Sequence, residues 1–275
     1  MSSSSFQTYV IGGNQPVGQQ LARNLSSQGL MYKSIALESR DKLAMSSGQP
    51  FFVITPNVTD VDDLAHAAFW LERAKEMDAC VLLLSSLALF PYRAGHQVSE
   101  SEEQCADTEL ADNLQQLEAM ARTNERHVIL RAGQLFSLQS DDFASQLLAH
   151  ARAGEPLYVD MQRLFDPTPV DDVAEVLLAV LRQLACSDEL FGTYHFSGVE
   201  PVSAFSFAEA LMALASQYED FSKVELGSQE GGLMPQVWTA SSDNTLLFHT
   251  FGIKPKAWRQ GLGRQLQRYY RVEES

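Results

Sequence analysis

"TYVIGGNQPVGQQLARNL", residues 8 to 25, carries an apolar run of strand length, a turn with glycines and then a helical pattern. A strand that passes through such a turn into a helix presents backbone N–H groups and the positive end of the helix dipole to an anion, the arrangement that receives a dinucleotide pyrophosphate. The turn reads Gly12, Gly13, Asn14, Gln15, Pro16, Val17, Gly18. Gly12 and Gly18 hold the outer positions of a G-x-x-G-x-x-G turn, while Gln15 stands where the middle glycine belongs. A side chain there crowds the pyrophosphate or forces another backbone angle, and Pro16 removes one N–H donor. The expectation is weakened affinity; an ordinary strand-to-helix turn that happens to hold glycines is the plainer alternative.

Outward from that turn, apolar runs of strand length alternate with amphipathic stretches of helix length, the pattern of a parallel sheet covered on both faces. Strands are expected at 8–12, 33–37, 51–55 ("FFVIT"), 79–86, 127–133 and 192–198, and helices at 17–28, 61–77, 109–124, 141–153 and 171–185. In the second helix Leu64, Ala67, Ala68, Leu71 and Ala74 recur at spacings of three and four, so that face should pack on the sheet. "PVDDVAEVLLAVLRQL" opens with a proline and acids that suit a helix N-terminus. Past residue 198 the pattern becomes a helix in "SAFSFAEALMALASQ", a glycine-rich turn and a terminal helix around "AWRQGLGRQLQRYY". The fold class is therefore α/β, a doubly wound parallel sheet with a smaller, discontinuous lobe. The expected division is 1–136 plus 166–198 for the dinucleotide-binding domain, and 137–165 plus 199–275 for the smaller lobe.

"ESR" stands at the tip of the second strand. Glu38 suits the ribose diol of NAD, whereas Ser39 and Arg40 suit the 2′-phosphate of NADP, and the Arg40 fork tips the reading toward NADP. A solvated charge cluster explains the same three residues.

Composition narrows the function classes. With 275 residues and 45% apolar content the chain can bury a large core, and its formal charge of −15 with no basic stripe argues against nucleic acid and anionic membrane surfaces as partners. Cys80, Cys105 and Cys186 form no metal or disulfide spacing and read as reduced, buried core thiols of a cytoplasmic protein. No apolar run approaches a membrane span, and the opening "MSSSSFQT" lacks the features of a signal peptide. The histidines show no metal spacing; His195 in "GTYHFSG" reads as a partly buried strand residue. Trp238 and Trp258 suit stacking on a base or sugar, and equally a core.

Several segments in order resemble the dTDP-4-dehydrorhamnose reductase group of the extended short-chain dehydrogenase/reductase superfamily. They are the opening turn, "LLLSSLALF", "HVILRAGQLFS", "LYVDMQRLFDPTPVDDVAEVLLAVL", "GTYHFSGVEPVSAFSFAEAL" and "FGIKPKAWRQGL". The resemblance covers most of the chain and implies a Rossmann-like cofactor domain, a lobe that closes over a nucleotide sugar, and NADP or NAD as cofactor, with weakened or absent binding the alternative outcome. The stretch between the second strand and "ACVLLLSS" is shorter than the family's, as though one strand-and-helix step were trimmed. "FFVIT" then corresponds to either the third or the fourth strand.

Carbonyl reduction in that family implies a tyrosine with a lysine four residues later on one helix face, and a serine or threonine at the preceding strand's end. Ser86, beside Ser85, holds the last position. Counting from Ser85 brings the pair to Leu110 and Leu114, and neighbouring registers supply no pair either. Lysines occur at 33, 42, 75, 223, 254 and 256, and no tyrosine has a lysine four residues on. Leucine donates no proton, and general acid help alone contributes roughly 10²–10⁴-fold. Tyr92, four residues before His96 in "PYRAGH", is the substitute acid on offer, and a surface loop with an aromatic anchor is its plainer reading. The run "SESEE" at 99–103 reads as a solvated acidic loop. Two functions remain open: a degenerate member that binds a nucleotide, a nucleotide sugar, a protein partner or a second copy of itself, and an active NAD(P)H-dependent reductase or epimerase of a nucleotide sugar with a rearranged acid.

Overall fold

The computed structural model describes residues 7–40, 43, 49–187 and 189–273. Its centre is one parallel sheet of six strands: β1 (Gln7–Ile11), β2 (Tyr32–Ile35), β3 (Pro50–Ile54), β4 (Cys80–Ser86), β5 (His127–Ala132) and β6 (Gly192–Phe196). Every residue of β3 and β4 is buried, which is why both read as unbroken apolar runs. β2 lies at the sheet edge and leaves Lys33 and Ser34 exposed.

The order across the sheet is β2-β1-β3-β4-β5-β6. A doubly wound dinucleotide sheet runs 3-2-1-4-5-6. "FFVIT" pairs with β1 on the side away from β2, so it fills the fourth position, and among the described residues no strand flanks β2 on its outer side. Among the described residues, the step that is absent is the third strand.

The helices are α1 (Pro16–Ser27), α2 (Val61–Glu76), α3 (Glu109–Arg122), α4 (Phe143–Ala153), α5 (Val170–Leu184), α6 (Ala204–Ala215), α7 (Thr245–Phe251) and α8 (Trp258–Glu273). Asp60 caps α2 by accepting from the N–H groups of Asp62 and Asp63. Its inward face is Leu64, Ala67, Trp70, Leu71 and Ala74; Ala68 is only half-buried, and Trp70 fills the sheet-facing position instead, donating from its indole to the Leu37 carbonyl at 2.8 Å. The acids that open α5 are buried and pair with α8, Asp172 with Arg264 at 2.6 Å and Asp171 with Arg268 at 2.9 Å.

A second apolar cluster lies beside the sheet core, built on Phe136, Phe143, Phe165, Phe207 and Trp258 from α4, α6, α8 and the short strands. Phe207 sits 5.2–5.9 Å from Phe136, Phe143, Phe165 and Trp258. Trp258 is fully buried and its indole donates to the Glu200 carbonyl, which makes it a core residue. Short strand pairs complete this side, Leu157–Val159 with Leu226–Ser228 and Leu164–Phe165 with Val202–Ser203. Cys80 is buried as expected, whereas Cys105 and Cys186 are exposed on a loop and beyond a helix end, so the expectation of core thiols fails for those two. Among the described residues no helix is long and apolar enough to cross a membrane.

Candidate functional site

A cleft of about 200 Å³ opens where the two apolar clusters meet, with Val17 and Val170 from one and Phe136 and Phe143 from the other on its walls. Gln15, Pro16 and Val17 form one end of it. In the turn, Gly12 has φ +94°, and a Cβ there would fall 2.5 Å from the Thr55 carbonyl oxygen. A Cβ on Gly18 would lie 2.0 Å from the Gly12 carbonyl oxygen. These two glycines therefore let α1 sit down on the β1–β3 junction.

Gln15 requires no glycine backbone. Its φ of −89° and ψ of 153° are ordinary extended values, so the expected distortion of the turn is absent and only its side chain bears on the cleft. That side chain makes no cap hydrogen bond, and among the described residues nothing accepts from the backbone N–H groups of Val17 and Gly18. Asn14 ties the turn to the tip of β2: its amide donates to Glu38 at 2.9 Å and accepts from the Leu37 N–H at 3.0 Å. Arg40 donates to the carbonyls of Glu38 and Ser39 and stacks over Phe69 at 4.2 Å. Glu38, Ser39 and Arg40 lie outside the cleft wall.

The two serines that end β4 part company. Ser86 lines the cleft, and its hydroxyl accepts from the Ala88 N–H to cap a turn of 3-10 helix, Leu87–Leu89. Ser85 is buried away from the cleft and donates to Glu118 at 2.7 Å. Arg131 grips the same carboxylate with two nitrogens, at 2.9 and 2.7 Å, and Arg122 adds a third contact at 2.8 Å. Burial pushes the Glu118 carboxyl up, yet these partners outweigh it and hold the group below the ordinary carboxylate range. His195, fully buried, accepts from Arg131 on Nε2 and faces the Val98 carbonyl with Nδ1. Glu100 accepts from the His195 backbone N–H at 2.8 Å, so the acidic loop is partly built into the protein and is not simply solvated.

Tyr92 and His96 are not joined. The Tyr92 hydroxyl accepts from the Leu164 N–H at 3.2 Å and its ring lies 5.9 Å from Trp238, while His96 pairs with Glu102 at 2.9 Å. Tyr92 does not line the cleft. Polar groups that do, and that sequence reasoning missed, are Gln134, Asp142 and Thr239. Asp142 caps α4, accepting from the Ser145 and Ser137 N–H groups and the Ser140 hydroxyl; burial pushes its carboxyl above the ordinary range despite those bonds. The "DDF" before an apolar helix signals the cap, but nothing local announces that it faces a cleft.

The profile of the RmlD substrate binding domain matches residues 57–271. The chain belongs to the RmlD substrate binding domain family. A dTDP-4-dehydrorhamnose reductase from Sinorhizobium fredii is 25% identical over 154 residues, 53% of this chain and 51% of the relative. The chain spans about half the length of the curated relatives it matches. Among solved structures, a dTDP-4-dehydrorhamnose reductase from Clostridium acetobutylicum superposes with a TM-score of 0.76 at 15% identity, covering 96% of this chain and 99% of that one. The Bacillus anthracis dTDP-4-dehydrorhamnose reductase in complex with NADP gives 0.76 at 17% identity, covering 98% and 99%. At these identities the likeness establishes the Rossmann-like fold.

The positions where family resemblance puts the acid pair belong to the packed interior. Leu114 is fully buried in the sheet core, Leu110 is half-buried against it, and neither lines the cleft. The turn, by contrast, fits a dinucleotide: the start of α1 leaves the N–H groups of Val17 and Gly18 unpartnered, and Val17 lines a cleft that reaches Ser86.

Proposed function

We propose that this member of the RmlD family is a dinucleotide-binding protein that has given up the family's tyrosine–lysine proton relay. One observation carries the reading: the cleft runs from the N-terminus of α1 to Ser86, while the α3 face at Leu110 and Leu114 is turned into the core. When bound, the dinucleotide supplies a hydride donor or acceptor. Val17 and Gly18 hold its pyrophosphate by their N–H groups, with Gln15 beside it, and Ser86 lies toward the nicotinamide end. Glu38, held against the turn by Asn14, sets a carboxylate at the adenine ribose, which favours NAD over NADP by repulsion of a 2′-phosphate. The nicotinamide partners of the solved relatives support this reading at the level of the fold.

Calorimetry with NADH and NADPH tests it. NADH should bind at least tenfold more tightly, Glu38→Ala should erase the difference, and a dTDP-linked 4-keto sugar should provoke no cofactor oxidation above background. Absence of binding by both dinucleotides would remove the proposal. Reduction or epimerisation of a nucleotide sugar is the second reading, favoured by the curated relatives' names and by a carboxyl in the cleft wall, Asp142, that burial pushes toward its protonated form. Cofactor oxidation that disappears in Asp142→Asn, with NADH affinity kept, would select it.

A further inference from the structure

Val170 lines the cleft and also a second, smaller crevice, formed by Arg23, residues 137–139, Asp171, Gln265 and Arg268. Two cations meet there on one neutral acceptor. Gln20 Oε1 accepts from Arg23 Nε at 3.0 Å and Nη2 at 2.8 Å, and from Arg268 Nη1 at 2.8 Å. Arg268 also holds Asp171, at 2.9 and 3.3 Å, and beside it Arg264 pairs with Asp172. Three arginines thus meet two carboxylates, and among the described residues no carboxylate pairs with Arg23. Its remaining contact, to Gln139 Oε1, is a long 3.5 Å. In a chain with 35 acids against 20 lysines and arginines, a guanidinium set against another cation without an acid of its own goes against the composition. Burial and then the Arg268 charge lower the Arg23 pKa, and Asp171 opposes them only in part. The start of α5 lines the same crevice through Val170 and Asp171, which adds the positive end of a helix dipole.

We infer that this crevice between α1 and α8 is an oxyanion site, separate from the dinucleotide cleft, and that a phosphate group bridges Arg23 and Arg268 there. The crevice holds about 10 Å³, room for one oxygen-sized group. Arg23 and Gln139 are exposed at its mouth. One phosphate oxygen enters while the others stay in water, so the anion keeps most of its hydration. A tetrahedral anion offers separate oxygens to two guanidinium forks, which match it in geometry as well as charge. Neither arginine lines the cleft, so an anion here leaves the dinucleotide its place. The site also has a mechanical consequence. α1 packs through Leu21 and Leu25 into the sheet cluster and α8 through Leu262 and Leu266 into the second one, so the bridging anion ties the two clusters together.

Thermal unfolding of the full chain in inorganic phosphate or glycerol 3-phosphate, with chloride adjusted to hold the ionic strength, tests the inference. The midpoint should climb with the logarithm of phosphate concentration, by about 3 °C at ten times the dissociation constant. Arg23→Gln, at an exposed position that leaves the bond from Arg268 to Gln20 in place, should lose that climb. Phosphorus NMR at a temperature where both proteins are folded should show the phosphate line broadened by the unaltered chain and not by the variant. A response to both compounds marks a site for phosphomonoesters, and a response to inorganic phosphate alone marks a site for the free ion. An equal climb in Arg23→Gln would be a general salt effect and would overturn the inference, as would no climb at all. Saturating NADH should leave the phosphate response intact; its loss would put the anion in the cleft and defeat the separate site. The measurements without NADH need no dinucleotide binding, so the inference and the proposed function fail independently.

Discussion

His195 has a donor on one ring nitrogen and an acceptor at the other. Arginine only donates and a carbonyl only accepts, so Arg131 at Nε2 and the Val98 carbonyl at Nδ1 fix the neutral ring with its proton on Nδ1. Protonation would turn Nε2–H against a guanidinium inside the protein. Burial and then the Arg131 charge lower its pKa from 6.5 to about 4, against the weaker pull of the Val98 carbonyl, Glu118 and Glu102. The sign follows from the two states. Between pH 6.5 and about 4 the unfolded chain carries a proton here that the folded chain does not, so stability falls as pH drops through that window and levels off below it. The shift corresponds to a loss on the order of 3 kcal/mol. Urea unfolding across this range should show that loss, and His195→Gln, which keeps one donor and one acceptor, should flatten it; a variant with an unchanged pH profile would refute the assignment. The sequence allowed a partly buried strand histidine and gave no hint of its ring partners, which lie 64 and 97 positions away.

At the scale of elements, periodicity made nearly all the secondary structure readable. Strands of a buried parallel sheet are apolar throughout, and helices show three-and-four spacing, so each main strand and helix falls within a few residues of its expected place. The seven-residue α7 was missed because so short a segment holds less than two periods. The glycine turn was legible as a motif but not in its physical cause. The missing side chain of Gly18 has a packing duty that the motif does not announce, separate from the N–H assigned to the pyrophosphate, since any Cβ meets the Gly12 carbonyl oxygen at 2.0 Å and Thr55 Oγ1 at 2.7 Å. Gly18→Ala must therefore lift α1 away from β1. Overpacking of this kind typically costs about 1–3 kcal/mol, and thermal unfolding should register it together with weakened NADH binding. Unchanged stability would mean that α1 has more room than the structure shows.

At the scale of the molecule, the cleft wall draws on both apolar clusters, with Val17 and Val170 from one side and Phe136 and Phe143 from the other. A ligand seated there should brace both. At about a hundred times its dissociation constant, NADH should stabilise the chain by about 2.7 kcal/mol. Hydrogen exchange should slow at the start of α1 and also over 134–143; protection confined to α1 would show that the ligand touches one side only. This joint surface is what the sequence could not disclose. Gln134 and Thr239 lie more than a hundred positions apart, and only the packed chain makes them neighbours in one wall. Sheet order was equally hidden, because "FFVIT" has the same apolar character in the third position as in the fourth, and pairing with β1 decides between them.

The burial of Leu114 constrains any redesign of α3. A lysine installed there would bring a charge into a fully packed interior and weaken the fold. Under the proposed function, proton transfer built into this protein has to draw on the carboxyls and hydroxyls of the cleft, with α3 left as a packing helix.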